Sequence, residues 1–173
     1  MSRPFRSRTA RDHNAATDML ESIDHVNIVV RDLPLMADFY VRVLGFRETK
    51  RVTISGAWID QTVALRDVTA ECVYLDLPQG PRVELLRYVN PPGAQPDGLG
   101  QSNTIGLRHM AFRVDDIDAA VARLRDEKVN FFSGVQNVPT SQVTYAGGVR
   151  KRLVYFHDPE GNLLELCEYK APR

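Results

Sequence analysis

Cysteine is scarce in this sequence and is not arranged for disulfide bonding or metal binding. The chain has two cysteines, Cys72 and Cys167, and neither has another cysteine near it. This spacing excludes a disulfide framework and a Cys-x-x-Cys redox or zinc site. A reducing, cytoplasmic setting is therefore expected.

An excess of charge of one sign is also missing, as are long hydrophobic runs. Lysine and arginine number 22 and aspartate and glutamate number 22, so the formal net charge is zero. A surface that binds phosphate backbones would need a basic excess. The apolar runs have the length of strands, far short of the ~20 residues that cross a bilayer. We therefore expect no nucleic acid and no membrane partner, and the chain is expected to be an enzyme or a small-molecule binding protein.

The first 21 residues differ from the rest of the chain. Four arginines are interleaved there with Ser, Thr, Pro and Asn, and the apolar residues show no periodicity. The apolar segment of a secretory signal is not seen among them. We interpret residues 1–21 as a flexible N-terminal tail.

An internal repeat organises the remaining chain. The segment His25–Leu33 aligns with His109–Ile117, 84 residues later, so that His, alternating apolar residues, Asp and an aliphatic residue coincide. Each copy continues into a helical pattern and then into strand patterns separated by turns. This predicts two βαβββ modules, residues 22–90 and 107–170, joined by a Pro- and Gly-rich linker over residues 91–106.

The strand patterns assign three further strands to each module. They are Ala57–Leu65, Glu71–Leu77 and Arg82–Tyr88 in the first module, and Val143–Ala146, Arg152–Phe156 and Leu163–Tyr169 in the second. The fold class expected is therefore α+β.

Alternation along the strands places one His and one Glu on the same face of each module. The residues predicted to pack under the helices are Val26, Ile28, Val30, Val83, Leu85, Met110, Phe112, Val114, Leu164 and Leu166. The opposite face then carries His25 and Glu84 in the first module, and His109 and Glu165 in the second. Packing about a pseudo-twofold axis is expected to bring these four side chains together.

Two imidazoles and two carboxylates form a ligand set suited to a divalent ion such as Ni, Zn, Co, Mn or Fe. Two buried carboxylates without a cation would repel each other and lose hydration, and a metal ion removes both costs. The modules are thus expected to form a curved mixed sheet or an incomplete barrel around a metal-centred cavity.

Several motifs of the chain occur together in one known family. They are Asp24-His25-Val26, Phe39-Tyr40 with Leu44-Gly45-Phe46, Val83-Glu84-Leu85-Leu86, Arg108-His109-Met110-Ala111-Phe112, and Asp158-Pro159-Glu160-Gly161-Asn162 followed by Leu164-Glu165-Leu166. On these residues the sequence resembles the vicinal oxygen chelate family of glyoxalases, bleomycin-resistance proteins and extradiol dioxygenases, over residues 23–170. The resemblance implies metal binding at His25, Glu84, His109 and Glu165.

The resemblance also implies a function. It points to a metal-dependent lyase or isomerase of glyoxalase type, which transfers a proton next to a carbonyl through a metal-stabilised enediolate. Glu165 is the implied base, with Glu84 as the symmetric alternative. The expected partners are a small-molecule carbonyl substrate and a second copy of the chain in a homodimer.

Three alternative functions remain open. They are a methylmalonyl-CoA-epimerase-like racemase, an iron-dependent ring-cleaving dioxygenase, and a metal-free small-molecule (drug) binding protein. Family dioxygenases hold iron with two His and one Glu, so Glu84 argues against that reading. Retention of all four candidate ligands argues against the binding protein, since unpaired buried carboxylates would be costly.

Five cations are candidates for anchoring an anionic substrate, with a solvated strand edge as the competing interpretation. They are Arg82, Arg113, Arg150, Lys151 and Arg152.

Overall fold

The computed structural model describes residues 19–172, so most of the predicted tail lies outside the described residues. Two four-stranded mixed sheets form the described part of the chain, with strand orders β1-β4-β3-β2 and β5-β8-β7-β6. The predicted α+β class is confirmed, and neither sheet closes into a barrel.

Both modules have the same topology. The first contains β1 (His25–Val29), α1 (Leu33–Asp38), β2 (Arg47–Ser55), α2 (Ala57–Val63), β3 (Thr69–Asp76) and β4 (Arg82–Asn90). The second contains β5 (His109–Arg113), α3 (Ile117–Asp126), β6 (Gln136–Asn137), β7 (Arg150–His157) and β8 (Leu163–Lys170). β1 is parallel to β4 and β5 is parallel to β8, whereas the other pairs are antiparallel. β1 and β5 therefore lie at the edges of their sheets.

An aspartate begins the main helix of each module. The Asp32 side chain accepts a hydrogen bond from the Leu35 backbone N–H at 3.0 Å, and Asp116 accepts one from Ala119 at 3.0 Å. Each bond satisfies a backbone donor that the first helical turn leaves free. Pro34 occupies the first turn of α1, where its missing N–H has no consequence.

A π-helical turn, Phe39–Val43, continues α1. The Leu44 N–H bonds the Phe39 carbonyl at 3.1 Å, five residues back. The adjacent Phe39 and Tyr40 in this turn are both buried. Gly45 then reverses the chain at φ +83, a backbone conformation that favours glycine.

The helix-facing sides of both sheets contribute to a single hydrophobic core. Of the ten apolar residues predicted to pack under the helices, all except Val26 belong to this core or pack against it. The aromatic rings of Phe46 and Phe112, one from each module, meet edge to face with centroids 5.8 Å apart. Burying apolar surface from both copies together is what holds the duplicated unit in one body.

Polar contacts between the modules involve two of the family motifs. The Tyr40 hydroxyl donates to the Asp158 carboxylate at 3.3 Å. The Glu160 carboxylate accepts the backbone N–H groups of Arg31, at 2.8 and 3.0 Å, and of Asp32, at 2.6 Å. The Asp-Pro-Glu-Gly-Asn turn of the second module thus satisfies donors at the beginning of α1.

The predicted strand Ala57–Leu65 is wrong, because this segment contains the helix α2. Ala64 ends α2 in the left-handed conformation. The helix packs on the open face of the first sheet, the face opposite α1, in a second hydrophobic cluster. The buried residues of this cluster are Ile59, Val68, Ala70, Cys72 and Leu86. The face of the first sheet that carries Glu84 is therefore partly covered by α2.

The second strand of each module also differs from the prediction. β2 spans Arg47–Ser55, a segment that was not predicted as a strand, and most of its side chains are exposed. Val143–Ala146, predicted as a strand, is irregular up to a 3-10 turn that begins at Ala146. The strand at that position in the sheet is the two-residue β6. Pro139 follows it closely, and proline has no N–H to extend the ladder.

Residues 91–108 contain no helix or strand and connect the two modules. None of the helices in residues 19–172 combines the length and hydropathy needed to cross a membrane.

Candidate functional site

The four predicted ligands form two pairs, one in each module. The first pair is His25 and Glu84, on the parallel strands β1 and β4, and the second pair is His109 and Glu165, on β5 and β8. In both modules the Glu lies opposite the residue two positions after the His, which is Asn27 in the first and Ala111 in the second. The duplicated register therefore places each His and Glu on one face, as predicted.

The distances within the pairs match those between adjacent ligands of one metal ion. Nε2 of His25 lies 3.5 Å from Oε2 of Glu84, and Nε2 of His109 lies 3.1 Å from Oε2 of Glu165. Two donor atoms, each about 2.1 Å from an ion and at right angles to each other, are about 3 Å apart. Each pair therefore fits as half of a four-ligand site.

One chain does not gather the two pairs into one group of four. Within residues 19–172, no three His, Cys, Asp or Glu side chains converge as a site that would hold a metal ion. The structure thus brings each His to its Glu and leaves the two pairs apart.

Asp24 orients the imidazole of the first pair. Its carboxylate lies 2.8 Å from Nδ1 of His25, and this hydrogen bond holds the pKa of Asp24 below its ordinary value. A carboxylate on Nδ1 favours the tautomer that leaves Nε2 as an acceptor, the common second-shell arrangement of metal-bound histidines. Nε2 is the atom that faces Glu84.

Three uncharged donors surround Glu84. Nδ2 of Asn27 donates to it at 2.8 Å, Sγ of Cys72 at 3.2 Å, and the Tyr74 hydroxyl also bonds to it. Burial by itself would raise the pKa of Glu84, but these donors outweigh burial and lower it. In turn, burial and the neighbouring Glu84 raise the pKa of the Cys72 thiol to about 12, so Cys72 is a donor to Glu84 and not a nucleophile.

The second pair is more buried and contains a cation. Glu165 has 3% of its side chain exposed, and its Oε1 lies 2.7 Å from Nζ of Lys151, which is 16% exposed. Burial acts to lower the pKa of Lys151, but the hydrogen bond and charge of Glu165 outweigh burial and raise it. Burial, the charge of Glu165 and a hydrogen bond to it also raise the pKa of Tyr155. The Tyr155 ring lies beside His109, with centroids 5.0 Å apart.

Tyr74 and Tyr155 are site residues that the sequence analysis missed. Each is the cross-strand partner of the Glu in its module, Tyr74 of Glu84 and Tyr155 of Glu165. The signal was present, because each tyrosine precedes its Glu by ten residues. A pair of tyrosines at the same offset as the pair of glutamates marks them as equivalent positions.

Most of the cations considered as substrate anchors have partners within the chain. Nε of Arg82 bonds to Asp76 at 3.2 Å, and Arg113 lies over the Tyr169 ring. Arg152 binds Asp118 at 2.8 Å and Glu168 at 3.4 Å, and Lys151 is bound to Glu165. Three other arginines, described below, line a cavity.

The chain is similar to bacterial and human proteins along most of its length. It is 30% identical to the uncharacterized protein YaeR of Escherichia coli over 86% of this chain and 97% of that protein. It is 30% identical to 2-epi-5-epi-valiolone epimerase of Actinomyces, over 87% and 80% of the two chains. It is 27% identical to the mitochondrial methylmalonyl-CoA epimerase of Homo sapiens, over 85% and 73%.

Solved structures share the fold. A glyoxalase family protein from Bacillus cereus superposes with a TM-score of 0.72 at 28% identity, covering 89% of this chain and 97% of that chain. A family model described as Glyoxalase/Bleomycin resistance protein/Dioxygenase superfamily matches residues 22–166. This match includes both His–Glu pairs, and it confirms the resemblance on which the expected site rests. The chain belongs to the Glyoxalase/Bleomycin resistance protein/Dioxygenase superfamily.

Proposed function

We propose that this protein is a metal-dependent lyase or isomerase of the glyoxalase type, which transfers a proton next to the carbonyl of a small-molecule substrate. We further propose that the metal site is completed in a homodimer, by the first pair of one chain and the second pair of the other. The cytoplasm is the proposed compartment, since Cys72 and Cys167 are both free and buried thiols.

The observation that carries the proposal is the matched geometry of the two pairs. The separations of 3.5 and 3.1 Å suit adjacent ligands of one ion. Equivalent strand registers produce both separations. A His and a Glu that meet by chance in one module would not be expected to meet at the same register in its duplicate.

The homodimer is proposed because each chain contains two half-sites, one His–Glu pair in each module. A twofold axis that brings the first pair of one chain to the second pair of its partner would unite a first pair with a second pair twice. Such a dimer would contain two complete sites.

Glu165 is the residue that we propose to move the proton. A bound divalent ion would polarise the substrate carbonyl and offset the negative charge that develops on its oxygen. Oε2 of Glu165 faces His109, and Oε1 faces Lys151. The Lys151 ammonium therefore fixes the position of the carboxylate through Oε1 and leaves Oε2 directed toward His109.

Glu84 is held in its ionised form. Its three donors stabilise the ionised form and lower its pKa, which reduces its affinity for a proton. In the proposal Glu84 is a ligand of the ion. The hydrogen bond from Asn27 to Glu84 fixes the orientation of the first pair.

Mixing two inactive variants tests the shared site. One variant carries His25→Ala with Glu84→Gln, and the other carries His109→Ala with Glu165→Gln. We expect neither to bind zinc alone, and the purified mixed dimer, isolated with two different tags, to bind one zinc per dimer. Mixed dimers without zinc, although the unaltered protein binds it, would show that the site is not shared between chains.

Metal content and proton exchange test the function itself. We expect the purified protein to contain a divalent metal in elemental analysis, and Glu84→Gln and Glu165→Gln to reduce it strongly. Glu48→Gln is the matched control, because Glu48 lies on β2 and pairs with Arg51. A protein that binds no metal, or that retains its metal in both site variants, would contradict the proposal.

An epimerase is the second candidate, favoured by the 27 to 30% identity with two epimerases. Both reactions begin with removal of a proton next to a carbonyl. They differ in where it returns: to the same carbon in an epimerase, and to the neighbouring carbon in a glyoxalase. Deuterium-exchange NMR on 2-oxo hemithioacetals and 2-methyl acyl-CoA thioesters separates them by the carbon that acquires deuterium.

A further inference from the structure

A cavity of about 500 Å³ lies between the edge strands β1 and β5. The connecting segment after β4 forms one wall, and the beginning of β8 forms another. About half of the residues in its wall are Val, Ile, Leu or Pro. Its volume falls within the range of small-molecule sites, about 300–1,000 Å³. His109 lines the cavity, so the cavity adjoins the second pair. Asn27, which donates to Glu84 of the first pair, lines it too.

The charged residues that line this cavity are mostly positive. They are Arg31, Arg87 and Arg108, and the acid among the lining residues is Glu160. The Glu160 carboxylate is bound by the backbone N–H groups of Arg31 and Asp32, as described above. The lining therefore carries a net charge of plus two in a chain whose formal net charge is zero.

Two of the three arginines contact neutral acceptors. Arg87 pairs with Glu71 at 3.1 Å. In contrast, Nη2 of Arg31 donates to the side-chain oxygen of Gln95 at 2.8 Å, and Nη1 of Arg108 donates to the Leu99 carbonyl at 3.3 Å. Within residues 19–172, neither Arg31 nor Arg108 forms an ion pair through its side chain.

Arg108 has a buried donor atom with no acceptor. Its Nε is removed from solvent and has no hydrogen-bond partner within the described part of the chain. A buried donor without a partner costs free energy, and the cost is larger for a charged group. A ligand oxygen that reaches this guanidinium would recover that cost.

We propose that this cavity binds a carboxylate or phosphate group of a small molecule, through Arg108 and Arg31, with the apolar part of that molecule against the Val, Ile and Leu wall. Planar guanidinium groups recognise both anions through paired N–H donors. Where the proposed function also holds, His109 connects this cavity to the metal site, and the substrate is a carbonyl compound with an anionic substituent. The anion site itself rests on the arginines alone.

The test measures binding of three probes to the full chain after its metal has been removed by chelation and dialysis. The probes are hexanoate, hexyl phosphate and hexanol, which share an apolar tail and differ in the head group. Calorimetric titration should detect hexanoate or hexyl phosphate, or both, with at least tenfold tighter binding than hexanol. Equal binding of hexanol, or no binding of either anion, would overturn the proposal.

Variants assign the binding to the arginines. Arg108→Met and Arg31→Met should each weaken binding of the anion by about tenfold or more, the loss expected for one charge-assisted contact. Arg108→Lys should fall between the native protein and Arg108→Met, because it keeps the charge and loses the planar donor pair. The control is Arg66→Met, since Arg66 is exposed and does not line the cavity.

Each outcome of the variant series decides the question. Equal weakening by Arg66→Met and Arg108→Met would show a general charge effect and would refute the site. Circular dichroism melts identify a variant that fails to fold, and Arg31→Met and Arg108→Lys then carry the test. Because the titrations use metal-free protein, a failed metal site leaves the result unchanged, and a failed anion site leaves the mixed-dimer result unchanged.

Discussion

Replacing Lys151 with Met should destabilise the metal-free protein and tighten its binding of metal. Lys151 is the cation 2.7 Å from Glu165, and both side chains are largely buried. Removing one partner of a buried pair leaves the other charge without compensation, at a cost of about 3–5 kcal/mol. Lys151 retains some contact with solvent, so we expect about 3 kcal/mol. For a domain of this size that loss lowers Tm by about 6–12 °C.

The effect on metal binding has the opposite sign. In the proposed site, the ion would share the Glu165 carboxylate with Lys151, and the ammonium would repel a divalent cation. Hydrogen bonds between charged groups contribute about 1.5–3 kcal/mol, so removing this competitor should tighten zinc binding about ten- to hundredfold. Calorimetric titration with zinc at pH 8 and thermal melts, each with and without metal, measure both effects.

Lys170→Met is the matched control for this prediction. Lys170 also pairs with a buried glutamate, Glu168, at 3.1 Å, but it is 55% exposed and lies outside the site. Glu168 keeps its bonds to the Ile117 N–H and to Arg152. We expect a loss of less than about 1 kcal/mol and no change in zinc affinity. If Lys151→Met destabilised no more than Lys170→Met, or bound zinc no more tightly than the native chain, the reasoning would be refuted.

Three further changes test the fold. Ile59→Ala should lower the free energy of unfolding by about 2–4 kcal/mol, because Ile59 is buried where α2 covers the sheet, whereas Trp58→Ala, at an exposed position, should cost much less in the same urea titration. Tyr40→Phe should cost about 1 kcal/mol, since the hydroxyl loses one hydrogen bond to Asp158, and a neutral result would show that this contact between the modules does not stabilise the fold. The Ile117 N–H and the nearby cations outweigh burial and lower the pKa of Glu168, so its stabilisation is complete above the ordinary Glu pKa of about 4.3 and is lost as pH falls through the lowered value. Glu168→Gln should therefore reduce the urea midpoint at pH 7 more than at pH 3.5, and equal reductions at both would contradict this assignment.

The duplicated part of the fold was accessible from the sequence because it depends on local alternation. The His25 and His109 strands each place apolar residues on one face and the His on the other, and both patterns appear in the printed sequence. The same alternation places Glu84 and Glu165. These features follow from strand geometry alone and need no knowledge of distant contacts.

The elements that were missed depend on contacts that alternation does not encode. β2 begins with Arg47-Glu-Thr-Lys-Arg51, whose side chains are exposed on an edge strand, so no apolar period marks it. α2 is a short apolar segment that resembles a strand in composition, and its helical form depends on packing against Leu86 and its neighbours. Short apolar segments are ambiguous between helix and strand for this reason.

The separation of the two His–Glu pairs was beyond reach of sequence reasoning for another reason. Whether two modules bring their open faces together depends on how the shared core orients them, and alternation within a strand does not encode that orientation. Lys151 shows the same difficulty. Its charge was noted as a possible substrate anchor, but its contact with Glu165 arises from the pairing of β7 with β8.

The bonds that Glu160 makes to the first module make the folding of one copy depend on the other. The backbone donors at the beginning of α1 and the Tyr40 hydroxyl are satisfied by the turn Asp158–Asn162 of the second module. A fragment that ended after β4 would leave those donors without their acceptors, so the two copies have become specialised for each other. We expect the separately produced halves to be poorly folded alone and to recover native structure only when they are mixed. Neither half is then a self-sufficient folding unit.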